Sequence, residues 1–111
     1  MIWRSRSRWA AGLAIAAAFA ACAPSLPPVG ALDLESVRSV RPWATREGLA
    51  EGRRLFAQRC AACHGLPDPA GHPVEKWPAL VDWMRTRAHL DTAQGRVVAD
   101  WVVSRAVQKR P

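Results

Sequence analysis

The chain has 111 residues, half of them apolar and 23% charged, with nine prolines and six tryptophans but no tyrosine. That composition excludes a disordered polar chain, a collagen and a multi-span membrane protein, and the length suits one domain. Sixteen basic residues face nine acidic ones for a formal charge of +7, and three cysteines are too few for a disulfide-framed miniprotein.

Residues 1–22 read MIWRSRSRWAAGLAIAAAFAAC. Arg4, Arg6 and Arg8 precede an Ala-rich apolar run from Trp9 to Ala21, the pattern of a secretory signal peptide. The run is about 13 to 15 residues, short of the ~20 that a spanning helix needs. Its end, Phe19-Ala20-Ala21-Cys22, resembles a bacterial lipobox, although Phe19 stands where that pattern prefers Leu. A competing cut after Ala20 is marked by Ala18-Phe19-Ala20. Lipidation accounts for the odd cysteine, since an exposed thiol is a liability in an oxidising compartment. The expectation is therefore a lipoprotein-type signal over 1–21 and a mature protein held to the envelope membrane, on the periplasmic side, by lipid at Cys22. The alternative cut gives a soluble periplasmic protein. Without the three signal arginines the chain keeps 13 basic and 9 acidic residues, a charge of +4. No basic stripe interleaved with aromatics remains, so nucleic acid is not an expected partner.

Residues 22–43 contain Pro24, Pro27, Pro28, Gly30 and Pro42. They read as a lipidated N-terminus and extended tether, with the stretch 32–40 apolar enough to pack in part on the domain. The domain proper is expected over 44–108. Its first helix is capped by Thr45 and runs to about Cys60, with Leu49, Gly52, Phe56 and Cys60 on one face and a Glu51–Arg54 pair outside. A loop rich in Pro and Gly over 64–73 breaks the pattern. A second helix has Pro78 in its first turn and runs to about Ala88, with Trp77, Leu80, Val81, Met84 and Ala88 on one face. The third opens at Asp91 with Gln94 in capping-box position and runs to about Gln108, its apolar side carrying Val97, Val98, Trp101 and Val102. No strand-period segment stands out. The expected class is all-α, and so small a domain needs something to complete its core.

Cys60-Ala61-Ala62-Cys63-His64 is C-x-x-C-H, a signal for c-type haem attachment. Two thiols at this spacing can add to the two vinyl groups of one porphyrin, and the adjacent imidazole then reaches the iron. Competing readings are a thioredoxin-like pair, which expects a βαβ surround; a zinc site, which would have to recruit His72 and His89; and a plain disulfide.

Over roughly 46–107 the chain resembles the small class I c-type cytochromes. The likeness rests on a Gly/Phe helix, C-x-x-C-H, a Pro-containing loop, a downstream Met and a last helix bearing an aromatic. The resemblance implies a three-to-four-helix fold around one haem c, bound covalently by Cys60 and Cys63. It implies that the first and last helices cross with Gly52, Phe56 and Trp101 at the contact. His64 would be the proximal iron ligand. Trp77 to Met84 is similar to a W-x-x-x-V-x-x-M segment in a branch of the family where the Met is the distal ligand, which assigns Met84; His72 and His89 are its rivals. A Pro carbonyl, of Pro67 or Pro69, would orient His64, and Leu80 would pack near the haem. Trp77 would either donate to a propionate or cover the ring.

The expected function is one-electron transfer at the bacterial envelope, with redox partners that present an acidic docking face, and no catalysis of its own. The chain is alternatively the electron-accepting subunit of a periplasmic dehydrogenase. A second class is a haem sensor or peroxidase-like protein with an open sixth position. A third is a thiol-exchange module using Cys60 and Cys63.

Overall fold

The computed structural model describes residues 26–61 and 64–109. The signal, Cys22 and Cys63 lie outside the described residues. Among the described residues four α-helices succeed one another in chain order: α1 (Ala31–Arg38), α2 (Arg46–Leu55), α3 (Trp77–Arg85) and α4 (Thr92–Gln108). Among the described residues there is no strand, so the all-α expectation holds, and no helix is long and apolar enough to cross a membrane.

α4 is the axis of the molecule, and α1, α2 and α3 all pack against it. Its start is the one the sequence indicates. Asp91 Oδ1 accepts the Gln94 N–H at 2.7 Å while Gln94 Oε1 accepts the Asp91 N–H at 3.0 Å, which satisfies two end-of-helix donors reciprocally. Burial is wider than a single stripe. Val98, Ala99, Trp101, Val102, Val103, Ser104 and Ala106 are all buried, because helices cover α4 on several sides.

α2 begins at the expected cap, with Thr45 Oγ1 accepting the Gly48 N–H at 3.0 Å. Its α geometry ends earlier than expected, at Leu55, and the chain widens into a π-helical turn over Phe56–Cys60 that ends on the first cysteine of the motif. Such widenings recur at functional sites. α2 crosses α4 at Gly52. A Cβ there would lie 2.0 Å from the Val97 carbonyl oxygen and 3.1 Å from Trp101 Cβ, so only glycine permits the approach. One turn on, the Phe56 and Trp101 rings meet with centroids 4.9 Å apart.

The stretch expected to be an extended tether is largely part of the folded body. The Arg53 guanidinium donates to the carbonyls of Pro27, at 2.8 Å, and Leu26, fixing that segment along α2. α1 then buries Val37 and Asp33. The Asp33 carboxylate accepts from Gly30 N–H at 2.8 Å, Gln108 Nε2 at 2.7 Å and Arg105 Nη1 at 3.2 Å, which joins α1 to the end of α4. Burial alone pushes this carboxyl up. The hydrogen bonds from Gly30, Gln108 and Arg105, with the Arg105 charge, outweigh it and hold it below the usual carboxylate range. The prolines mark the entry to this segment; apolar burial and one carboxylate hub fold the rest.

α3 closes in a Schellman motif. The Leu90 N–H bonds to the Arg85 carbonyl at 2.8 Å and the His89 N–H to the Thr86 carbonyl at 3.2 Å. His89, at φ 57°, occupies the left-handed position usually taken by glycine. Leu90 is driven into the core.

Candidate functional site

The π turn, the loop after the motif and α3 enclose an apolar cleft of about 360 Å³, measured out to its open mouth. The π turn contributes Phe56 and Cys60, the loop His64 and Pro67, and α3 Trp77, Val81 and Met84. Ala88 and Leu90 close one side, Val98 of α4 forms part of the floor, and Arg85 is the only side chain in the lining with a permanent charge.

Each donor has a structural reason to be there. Cys60 ends the π turn one turn beyond Phe56 and packs against the core. His64 comes next in the loop, with Nδ1 2.7 Å from the Gly65 carbonyl oxygen. A carbonyl only accepts, so this bond needs its proton on Nδ1 and leaves Nε2 as the nitrogen open to a ligand. Met84 lies on the apolar face of α3, two turns beyond the Trp77 end, and is half-buried. The cleft therefore gathers an imidazole nitrogen, a thioether sulfur and a cysteine sulfur against apolar walls.

The rivals of Met84 are elsewhere. His72 is exposed and meets the Trp77 ring edge-on, centroids 5.2 Å apart. His89 is exposed and serves the α3 terminus. Neither lines the cleft. Among the described residues no three His, Cys, Asp or Glu side chains converge.

The carbonyl that orients His64 belongs to Gly65, not to Pro67 or Pro69. The Pro69 carbonyl instead accepts the Trp77 indole N–H at 2.8 Å. Pro67 and Trp77 both line the cleft. Leu80 packs on the core beside it, and Trp101 supports it only through Phe56.

Several wall residues escaped selection from the sequence. Val81, Ala88 and Val98 were legible on the apolar faces of their helices, but nothing distinguished them from ordinary core. Leu90 carries no periodic signal, since it is turned inward by the Schellman closure. The loop over the cleft is tied down twice: by Trp77 at Pro69, and by Lys109 Nζ, 2.9 Å from Asp68 Oδ1. The Lys109 hydrogen bond, with the Ala70 N–H, holds the Asp68 carboxyl below its ordinary range.

Comparison with protein-family models, with curated proteins and with solved structures gives no match for this chain.

Proposed function

We propose that the chain is a monohaem c-type cytochrome that carries single electrons at the bacterial envelope. The observation that carries the reading is the meeting of Cys60 and His64 of the C-x-x-C-H motif with Met84 in one apolar cleft. The donor chemistry suits such a group: a cysteine for thioether attachment, an imidazole nitrogen and a thioether sulfur for the iron, and apolar walls for the porphyrin. When bound, the haem supplies the one-electron couple, and the protein supplies binding, orientation and electrostatics.

The chain's own residues divide that work. The Gly65 carbonyl fixes the His64 tautomer and presents Nε2 as the ligating atom, which also raises its basicity. Met84 offers a soft sulfur, a ligand that raises the reduction potential relative to a second imidazole. Phe56, Trp77, Val81 and Leu90 keep water from the cleft floor. Arg85, paired with Asp82, borders its rim.

Expression of the full chain with a cytochrome c maturation system tests the reading. The polypeptide should emerge coloured after denaturation and acid extraction, with its mass raised by one haem. A colourless polypeptide at its bare processed mass overturns it. Cys60→Ala should abolish covalent retention of the full complement of haem.

A further inference from the structure

A second groove lies between α3 and the first half of α4, across α3 from the cleft. It encloses about 490 Å³, counted to its open mouth, and its floor is made of small residues, Gly95 and Ala99. Three guanidinium groups line it, from Arg41, Arg85 and Arg96, against one carboxylate, Asp82.

Two of the guanidinium groups are held in place by ion pairs before any ligand arrives. Arg41 donates Nε–H to the buried Asp100. Arg85 donates Nε–H to Asp82 at 2.8 Å, and its stem lies across Gly95, where a Cβ would come within 3.0 Å of Arg85 Cδ. Among the described residues the terminal amino groups of both make no further hydrogen bond. Arg96 has no ion-pair partner among the described residues, and it stacks on Trp43 at 5.2 Å. Arg41 stacks on the same ring at 4.8 Å, and the Trp43 indole N–H reaches Asp100 Oδ1 at 3.3 Å. The two aspartates balance two of the arginines, so the surplus positive charge of the groove is that of Arg96.

Fixed, forked donors around a concave surface with a surplus charge suit a planar or tetrahedral oxyanion. The anchoring of Arg41 and Arg85 lowers the ordering cost of binding. We propose that this groove is a binding site for a small polyvalent oxyanion, a polycarboxylate or phosphate, held by Arg41, Arg85 and Arg96. Arg85 also borders the cleft, but the site stands apart from the cleft reading because none of the donors Cys60, His64 and Met84 takes part in it.

Calorimetric titration of the full chain with citrate and with inorganic phosphate, against chloride at matched ionic strength, tests the proposal. Saturable binding of either anion is expected, and Arg96→Ala should weaken it at least tenfold. Nitrogen-resolved NMR gives a second readout. The Trp43 indole and Arg85 Nε signals should move on titration while the Trp83 indole, exposed on α3 and stacked on Arg87, stays still. Heats no different from chloride, binding unaffected by Arg96→Ala, or equal shifts at Trp43 and Trp83 would each overturn it.

Discussion

Gly52 on α2 lies so close to the Val97 carbonyl on α4 that a methyl group at Cα would sit 2.0 Å from its oxygen. The obstacle is backbone, and it cannot swing aside as a side-chain tip would. Replacing Gly by Ala inside a helix ordinarily gains about 1 kcal/mol. Overpacking a fitted contact costs about 1–3 kcal/mol. A clash with backbone puts that cost at the upper end, about 3 kcal/mol, so Gly52→Ala is expected to lose about 2 kcal/mol net as the crossing opens and pulls Phe56 away from Trp101. Urea denaturation measures the loss; a variant as stable as the parent would mean that the helices do not meet at this distance.

His89 occupies a conformation that a side chain makes costly. A non-glycine residue in the left-handed region loses about 1–2 kcal/mol relative to the right-handed one. His89→Gly should therefore raise stability by about 1 kcal/mol. It should also leave the haem spectrum unchanged, since His89 does not line the cleft. A change of spectrum on this substitution would make His89 an iron ligand.

The Asp33 hub predicts how stability responds to acid. Its carboxyl titrates below the usual range when folded and within that range, about 3.9, when unfolded. Its stabilising contribution is complete above the unfolded value and disappears as pH falls through the lower, folded value. Asp33→Asn removes this acid-dependent increment and costs about 1–3 kcal/mol at neutral pH, because the Arg105 bond loses its charged partner. Denaturation midpoints measured from pH 7 to pH 2 should fall more gently for the variant than for the parent.

Trp77 distinguishes a loop anchor from a propionate donor. Trp77→Phe keeps most of the buried ring and removes the bond to the Pro69 carbonyl, for a loss of about 1 kcal/mol. Hydrogen exchange should quicken at Ala70 and Gly71, whose backbone N–H groups bond within that loop. A large shift of reduction potential with unchanged loop exchange would instead assign the indole to the cofactor.

Met84→Ala tests the sixth ligand. The parent should show the red-region sulfur-to-iron absorption of the oxidised protein and resist carbon monoxide when reduced. The variant should lose the band and bind carbon monoxide rapidly. A parent that already binds it rapidly would place the protein in the open-site class of sensors and peroxidase-like proteins.

The periodic and capping signals carried far. Thr45 and Asp91 with Gln94 mark helix starts by hydrogen bonds confined to four residues, and the structure reproduces them. The contact of Gly52, Phe56 and Trp101 was implied by the resemblance to the class I cytochromes, and a glycine inside a helix agrees with a close approach there. The helix over Ala31–Arg38 was hidden by its flanking prolines, and its stability comes from Asp33 meeting groups more than seventy residues away. The π widening that ends on Cys60 likewise leaves no mark in the residue pattern.

What the chain order alone determined is the set of local events: where helices are capped, which faces are apolar, and which short motif puts two thiols beside an imidazole. Those depend on neighbours within a turn or two. Only the folded chain decided which donors share a cleft, that the Pro69 carbonyl goes to Trp77 and the Gly65 carbonyl to His64, and that three arginines from separate segments border one groove. The physical reason is that such groupings are set by helix crossings and loop closure. In those, a single carbonyl or methyl group placed by distant residues determines which partner is reached.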